Sequence, residues 1–408
     1  MTLDHLAFFF ASGPEAVKLP LAMLVVFASA KILDELFERL HQPGIVGQIL
    51  AGVLVGPSVL GWMQPDDFLT ALAELGVMFL LFRVGLEVKA SDLIKVGPIA
   101  TWVALLGVAV PFVLGWAILR LWGEPQIESI FVGAAMVATS VGITAQVLAA
   151  KGLLQERASR IILAAAVIDD VLGLLILALV SSLAKGEVNF LELALTATLA
   201  IGFTVIVIKW GSKTMRNLVP LVREQSRGGE AQFAMAMILL FALSLLAVYA
   251  GVAAIIGAFL AGMALAESVG HRVHDLAQGV TELLVPFFLA GIGLHLSLSA
   301  LSSWSTLVLA LLVLLAAIGS KFVGCGLGAY RLGRADAARV GVGMIPRGEV
   351  GMVVAQIGQS LGVIGEHVYA VVVVMSVATT LVAPPLLKLA YRGLGTPEPE
   401  DGERFRIG

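Results

Sequence analysis

"AAAVIDDVLGLLIL", residues 164–177, places two adjacent carboxylates, Asp169 and Asp170, inside an otherwise apolar run. A charged side chain at the centre of a bilayer costs about 2.5–3.5 kcal/mol even on the more lenient insertion scale. Such residues are retained where they pair with one another, line a cavity or take part in transport. If this run lies in lipid, the pair predicts a functional site on a membrane helix.

The composition indicates an integral membrane protein. Of the 408 residues, 59% are hydrophobic and 13% are charged, and the mean hydropathy is +0.98. Soluble domains carry roughly 25% charged residues. Apolar stretches of about 20 residues, the length that a helix needs to cross a bilayer, recur along nearly the whole chain. The net charge of −3 indicates no nucleic-acid partner, and the single cysteine, Cys325, excludes an intrachain disulfide.

Cutting the chain at Gly, Pro and charged clusters predicts an all-α polytopic membrane protein with thirteen transmembrane helices. These spans begin near Leu19, Gly44, Phe68, Pro98, Ile127, Ser159, Phe190, Ala231, Val252, Gln278, Ser303, Ala338 and Val368. Lys and Arg in short loops stay cytoplasmic. Only Lys18, Arg120 and Lys185 fall on the side of the N-terminus, and nineteen basic residues fall on the other side. We therefore expect the N-terminus outside and the C-terminus in the cytoplasm.

The second and third spans align with the ninth and tenth. "IVGQILAGVLVGPSV" from Ile45 matches "IIGAFLAGMALAESV" from Ile255 at an offset of 210, and "ELGVMFLLFRVGL" from Glu74 matches "ELLVPFFLAGIGL" from Glu282 at an offset of 208. Six helices, one linking helix and six more make the second unit enter from the opposite face. The sequence thus predicts two inverted six-helix repeats plus a linking helix, an architecture of many secondary transporters.

Helix breakers occur at the same level of each repeat. The fifth span contains "VATSVGITAQ" and the twelfth "VGMIPRGEVGM", and their Val-Gly pairs superimpose at an offset of 209. A break frees backbone carbonyls and points half-helix ends at a gap, which suits a cation and its charged neighbours. We therefore expect two broken helices that cross at the midplane. Their candidate site neighbours are Thr139, Ser140, Pro346, Arg347, Gly348 and Glu349.

The expected depth of the charged residues in the membrane points to the same midplane. Asp169 and Asp170 lie nine and ten residues beyond Arg160, and Lys321 lies ten residues before Arg331. At about 1.5 Å of rise per residue, each is roughly 15 Å from the cytoplasmic edge, half of a ~30 Å hydrocarbon core. Adjacent helix positions diverge by about 100°, so one carboxylate can pair with Lys321 while the other faces a cavity.

Each candidate site residue also has a purely structural interpretation. The Asp pair could serve only to neutralise Lys321. Thr139 and Ser140 either bond back to their own helix or contact the ion. Arg347 and Glu349 flank Gly348 and are expected to neutralise each other and the half-helix ends, a structural role. Glu74 and Glu282 occupy equivalent positions of the repeats, which suggests a scaffold role.

The motifs together carry a family resemblance over nearly the whole chain. They are "GQILAGVLVGPSVLG", "ELGVMFLLFRVGLE", "VATSVGITAQVL", "RIILAAAVIDDVLGL", "PRGEVGMVVA" and the lysine of "GSKFVG". The chain resembles the monovalent cation:proton antiporter-2 family, especially its electrogenic bacterial sodium/proton antiporters. The resemblance implies exchange of Na⁺ or Li⁺ for H⁺ in the bacterial inner membrane. It further implies a homodimer and no cofactor.

By motif, the resemblance makes Asp170 the ion-binding carboxylate, Asp169 the salt-bridge partner of Lys321, and Thr139 and Ser140 neighbours of the ion. It also implies a dimerisation domain and a moving core domain. The corresponding ranges are 1–96 and 231–300 for the dimerisation domain, 97–186 and 301–393 for the core ion-transport domain, 187–230 for the linking helix and its cytoplasmic loop, and 394–408 for a short cytoplasmic tail.

Charge counting predicts electrogenic exchange of two H⁺ per Na⁺ if Lys321 gives up a proton when sodium binds. If Lys321 stays charged, the exchange is one for one. Three alternatives remain: a potassium/proton antiporter, a Kef-like potassium efflux subunit and an intramembrane aspartyl protease. Kef-type relatives carry an amide where this chain has Asp169. They also carry a cytoplasmic nucleotide-binding domain, which we do not expect on this chain. Both points argue against the second alternative. Consecutive aspartates on one helix argue against the third.

Overall fold

The structure, a computed structural model, describes residues 15–40, 42–185, 190–225, 230–296 and 303–392. In these ranges it contains fifteen α-helices, one 3₁₀ turn at Tyr330–Leu332 and no β-strand. The helices are α1 Glu15–Arg39, α2 Gly44–Val55, α3 Asp67–Leu86, α4 Ala90–Trp122, α5 Gln126–Ala135, α6 Val141–Ala150, α7 Arg157–Lys185, α8 Phe190–Gln225, α9 Glu230–Tyr249, α10 Ala254–Leu265, α11 His271–Leu294, α12 Trp304–Gly328, α13 Arg334–Gly343, α14 Gly348–Ser360 and α15 Glu366–Ala390. The predicted external and cytoplasmic tails lie outside the described residues.

The all-helical membrane class is confirmed. Within the described ranges, eight helices are long and apolar enough to cross a bilayer, namely α3, α4, α7, α8, α9, α11, α12 and α15. Three shorter helices, α2, α6 and α10, are also apolar. Helices of 12 residues or fewer reach about 18 Å and do not span the ~30 Å hydrocarbon core unaided. The number of crossings therefore stays a prediction.

Each predicted span corresponds to one helix except the fifth and the twelfth, which are each divided in two. Two predicted starts were misplaced, because α4 begins at Ala90 rather than near Pro98, and α11 begins at His271 rather than near Gln278. Cutting at charged clusters removed the polar first turns of both helices. His271 and His274 lie in the first turn of α11.

Glycines bring two pairs of helices into close contact. Gly52 of α2 packs on the backbone of Ala290 in α11, and Gly293 of α11 packs on Ile49. In the same way, Gly85 of α3 packs on Phe259 in α10, and Gly262 packs on Phe82. A Cβ built on any of the four glycines would overlap a backbone carbonyl. At offsets of 210 and 208, Gly52 aligns with Gly262 and Gly85 with Gly293, so both crossings use the same aligned positions.

Helix α4 packs between α7 and α12 and brings them to the site. Its contact with α12 depends on small residues: a Cβ on Gly324 would lie 2.7 Å from the Leu106 carbonyl oxygen, and one on Gly107 would lie 2.6 Å from Cys325 Sγ and 3.6 Å from Lys321 Nζ. Small residues allow close approach of membrane helices. Here they also leave the volume that the Lys321 side chain occupies.

Candidate functional site

The two sequence breaks lie against each other. Helix α5 ends at Ala135 and α6 begins at Val141, while α13 ends at Gly343 and α14 begins at Gly348. The Ser140 backbone N–H donates to the Pro346 carbonyl oxygen at 2.8 Å, which joins the two breaks. Gly348 has φ +50°, and a Cβ there would lie 2.6 Å from Ser140 Oγ. Glycine is therefore required for both the backbone conformation and the approach.

Asp169 of α7 and Lys321 of α12 form a buried ion pair. Lys321 Nζ donates to both Asp169 oxygens, Oδ1 and Oδ2, at 3.1 Å each. Neither side chain has any exposed surface. A buried ion pair needs such two-oxygen geometry to offset desolvation. Residues 152 positions apart in sequence thus neutralise each other inside the helix bundle.

Asp170 is the second buried carboxylate, with 7% of its surface exposed. It follows Asp169 directly on α7, so its side chain leaves the helix about 100° away from the Lys321 pair. Charges buried in proteins are paired or coordinate ions. The two carboxylates therefore leave α7 in different directions.

Arg347 lies in the second break with no exposed surface. Its Nη1 donates to the Ala138 carbonyl oxygen at 3.3 Å, and its Nη2 donates to the Ala317 carbonyl oxygen at 3.0 Å. Its backbone N–H donates to Thr379 Oγ1 at 3.3 Å. The guanidinium therefore joins the first break, through the Ala138 carbonyl, to α12, through the Ala317 carbonyl. The side chain of Glu349 lies outside the described residues.

Three threonines behave differently at the breaks. Thr144 Oγ1 donates to the Gly343 carbonyl oxygen at 2.6 Å and so ties α6 to the end of α13. Thr379 Oγ1 donates to the Ser376 carbonyl oxygen and accepts from Arg347. Thr139 Oγ1 is buried and has no hydrogen-bond partner among the described residues. The back-bonding interpretation of Thr139 therefore does not apply in this structure.

Sequence reasoning missed Thr144 and the Ala138 and Ala317 carbonyls. Thr144 stands in the quoted motif "VGITAQ", and its position four residues into α6 was the available signal. The carbonyls had no sequence signal, because any residue carries one. The Ala138 carbonyl lies in the first break, where the interruption removes its usual intrahelical donor. The Ala317 carbonyl lies within α12 and also accepts from Ser320 Oγ at 3.3 Å.

The candidate site residues carry oxygen ligands. Among them are the Asp170 carboxylate, the Thr139 hydroxyl and the backbone carbonyls of residues 136–140, between α5 and α6. No group of three or more His, Cys, Asp or Glu side chains that could hold a metal ion exists in the part of the chain that the structure describes. A small set of hard oxygen ligands suits an alkali or similarly hard cation better than a transition metal.

Comparison with known proteins gives the family. Residues 23–392 match the family model described as "Sodium/hydrogen exchanger, transmembrane". The chain is 35% identical to the high-affinity Na⁺/H⁺ antiporter NhaS3 of Synechocystis sp., over 91% of this chain and 90% of the relative. It is 33% identical to the Na⁺/H⁺-K⁺ antiporter GerN of Bacillus cereus, over 90% of this chain and 95% of the relative.

The fold is also found among solved structures. The sodium proton antiporter MjNhaP1 from Methanocaldococcus jannaschii superimposes with a TM-score of 0.71 at 16% identity, over 95% of this chain and 100% of that one. At this identity the likeness shows the fold alone. The family match and the two relatives agree with the resemblance that the motifs carry. The chain therefore belongs to the sodium/hydrogen exchanger family, a family of membrane transporters rather than enzymes.

Proposed function

We propose that this protein is a secondary active antiporter that exchanges cytoplasmic Na⁺ or Li⁺ for external H⁺ by alternating access, in a bacterial inner membrane. One observation carries the proposal: two consecutive buried carboxylates lie on α7, and Asp169 forms a 3.1 Å ion pair with Lys321. Because consecutive helix positions diverge by about 100°, Asp170 leaves α7 in a different direction from that pair, and it is the carboxylate that we assign to ion exchange.

Asp170 binds the sodium ion and the proton in turn. A proton neutralises the carboxylate, and a sodium ion replaces the proton when the carboxylate ionises, so each ion displaces the other. Thr139 and Ser140 lie at the first break, where hydroxyl and carbonyl oxygens complete the coordination of the ion. Pro346 and Gly348 hold the second break open, and Arg347 donates to the Ala138 and Ala317 carbonyl oxygens.

The two repeats carry this site asymmetrically. At an offset of 209, Asp170 aligns with Thr379 and Ala138 aligns with Arg347. Thr379 contacts the second break through the Arg347 backbone N–H. From the equivalent position in the first repeat, we expect Asp170 to lie beside the first break, near Ala138 and Thr139. Thr379 thus carries a hydroxyl at the position where the first repeat carries the Asp170 carboxylate.

The architecture follows the same repeat. We expect thirteen crossings in two inverted six-helix repeats with α8 as the linking helix, the N-terminus outside and the C-terminus in the cytoplasm. The two glycine crossings, α2 with α11 and α3 with α10, support it because each joins one helix of either repeat at aligned positions. These four helices with α1 and α9 form the dimerisation domain of a homodimer. Helices α4–α7 and α12–α15 form the moving core.

The stoichiometry follows from counting charge. With Asp170 protonated and Lys321 charged beside Asp169, the three groups sum to zero. With sodium bound, both aspartates ionised and Lys321 neutral, the same groups and the ion sum to −1. Two protons then return for each sodium ion, and transport moves net charge. If Lys321 keeps its proton throughout, exchange is one for one and moves none.

Proteoliposomes containing a pH dye and the purified protein test the proposal. Addition of Na⁺ or Li⁺ should drive proton movement, and Asp170→Asn should abolish it. Asp275→Asn, which alters an exposed carboxylate on α11, should retain wild-type exchange. Wild-type rates in Asp170→Asn would contradict the site assignment. No sodium-driven proton movement in the wild type would contradict antiport itself.

Potassium is the second candidate substrate, because the name of the GerN relative includes K⁺. The same assay with K⁺ in place of Na⁺ distinguishes them, and faster proton movement with K⁺ would favour a potassium/proton antiporter. A Kef-like efflux subunit would instead pass K⁺ without proton exchange. The protease alternative has lost its basis, because the aspartates are consecutive on α7 and Asp169 is bound to Lys321.

A further inference from the structure

A cavity of about 200 Å³ lies between α3 and α11 on one side and α14 and α15 on the other. Its mouth includes Pro65, at the beginning of α3, and His295, at the end of α11, both exposed. Its polar lining is formed by Thr70, Glu74, His295, Gln356 and Tyr369. Under the proposed orientation, the beginning of α3 faces the outside, so the cavity opens to the external solution.

The inner end of the cavity reaches the broken helices. Val77 and Phe288 line it, and a Cβ built on Gly142 would lie 3.0 Å from Val77 Cγ2 and 3.2 Å from Phe288 Cζ. Gly142 is the second residue of α6 and follows the break that holds Ser140. Met352, near the beginning of α14, lines the same end. An ion that enters from the outside thus arrives at the crossing of the two breaks.

A small pocket on the opposite side of the crossing is lined only by apolar side chains, those of Leu81, Val141, Leu163, Ala166, Val167, Ile256 and Phe259. On that side the side-chain amide of Gln155, in the connection from α6 to α7, donates to the Glu87 carbonyl oxygen at the end of α3. The cavity that Glu74 lines lies on the other side of the crossing, which faces the outside under the proposed orientation.

Glu74 is the one carboxylate among the described residues that line the cavity, and no Lys or Arg lies among them. It stands seven residues into α3, about 10 Å along the helix. Its side chain is exposed and lines the cavity. A carboxylate in a cleft with low-dielectric walls raises the local concentration of cations. His295 is the one residue of the lining that can carry a positive charge near neutral pH.

We propose that Glu74 is a cation-attracting residue of an external access cavity, and that it increases the supply of monovalent cations to the site without binding them in the exchange step. The proposal rests on the proposed function. Its effect is confined to one face of the membrane, because the cavity opens on one face. It also depends on ionic strength, because an exposed charge in an aqueous cavity is screened by salt.

The repeat supplies a matched control. Glu282 of α11 aligns with Glu74 at an offset of 208 and is also exposed, but it does not line the cavity. Gln278 Nε2 donates to Glu282 Oε1 at 2.7 Å, and a glutamine at position 282 keeps that acceptor. Glu282→Gln therefore removes the same charge from the equivalent position of the other repeat and leaves the external cavity unchanged.

The test compares right-side-out with everted membrane vesicles carrying the protein, and measures the Na⁺ concentration that gives half-maximal proton exchange. Glu74→Gln should raise this concentration about fivefold when Na⁺ is added at the external face, and leave it unchanged at the cytoplasmic face. Glu282→Gln should leave the external value unchanged. The difference between Glu74→Gln and wild type should vanish when choline chloride is raised from about 0.01 M to about 1 M, which shortens the Debye length from about 30 Å to about 3 Å.

An unchanged external value in Glu74→Gln would overturn the proposal. An equal rise at both faces would also overturn it, because that result would mean a loss of affinity at the exchange site or a distorted fold. Glu74→Asp, which keeps the charge, should restore the external value towards that of the wild type. Failure of the proposed function would look different, since wild-type vesicles would then show no sodium-driven pH change at either face.

Discussion

Lys321 Nζ lies 3.1 Å from both oxygens of the Asp169 carboxylate, and neither residue has exposed surface. Each charge is satisfied chiefly by the other, so removing one leaves the second buried without its partner. Buried pairs broken in this way typically cost about 3–5 kcal/mol, whereas their replacement as a pair is often nearly neutral. The pair is thus sensitive to single substitutions and tolerant of matched ones.

Lys321→Gln should therefore lower the free energy of unfolding by about 3–5 kcal/mol, and Asp169→Asn/Lys321→Gln should recover part of that loss. Denaturant unfolding of the purified protein in detergent measures both. Arg39→Gln is the control, because Arg39 and Glu35 form an exposed pair with 75% and 61% of their side-chain surfaces accessible. Exposed pairs contribute about 0–1 kcal/mol. Equal losses in Lys321→Gln and Arg39→Gln would contradict the assigned importance of the buried pair.

The same double variant tests the charge count. Without Asp169 and Lys321 charges, only Asp170 exchanges ions, and the site is neutral with either a proton or a sodium ion bound. We expect Asp169→Asn/Lys321→Gln to exchange Na⁺ for H⁺ without net current, while the wild type gives current on a solid-supported membrane. Current of wild-type size from the double variant would refute the role of Lys321 as second proton carrier.

Thr139→Val should separate ion binding from stability. The Thr139 hydroxyl is buried and makes no hydrogen bond within the described residues, so the isosteric valine should leave the melting temperature unchanged or raise it. If the hydroxyl is a ligand of the sodium ion, the half-saturating Na⁺ concentration should rise about tenfold. Titration of sodium-driven proton movement in proteoliposomes measures it.

Thr144→Val is the matched control for that experiment. Thr144 Oγ1 donates to the Gly343 carbonyl oxygen at 2.6 Å, so its loss should cost about 1–3 kcal/mol of stability by leaving a buried carbonyl unpaired. An unchanged sodium titration in Thr139→Val would remove Thr139 from the ion site. A loss of stability in Thr139→Val equal to that in Thr144→Val would show that its hydroxyl has a structural partner.

The close helix crossings at glycine predict that larger residues at these positions lower the melting temperature. In Gly52→Ala the new Cβ would overlap the Ala290 carbonyl oxygen of α11. Helix α11 cannot shift away without losing contact, because its own Gly293 packs on the backbone of α2. Overpacking of this kind costs about 1–3 kcal/mol, read as a lower melting temperature. Gly279→Ala, on α11 but with open space around the glycine, should instead be neutral or stabilising. Equal melting temperatures for the two variants would contradict the close approach.

Much of this molecule was predictable from local sequence. The length of the apolar runs predicted helices, and Gly and Pro in "VATSVGITAQ" and "VGMIPRGEVGM" predicted both breaks. The adjacency of Asp169 and Asp170 determined that they leave α7 in different directions, because helix geometry separates neighbours by about 100°. These features depend on bonded neighbours and the helical period, which the chain carries in any environment.

Tertiary structure decided which groups meet. The Lys321 ammonium reaches Asp169 across 152 residues, because glycines let α12 approach α4 closely enough to bring it beside α7. Arg347 finds the Ala138 carbonyl only because the two breaks cross. Glu74, which resembles a scaffold residue in the sequence, lines a cavity only because α14 and α15 stand apart from α3 at that level. Local periodicity sets where each side chain points along its helix, but the packing of distant helices sets what it faces.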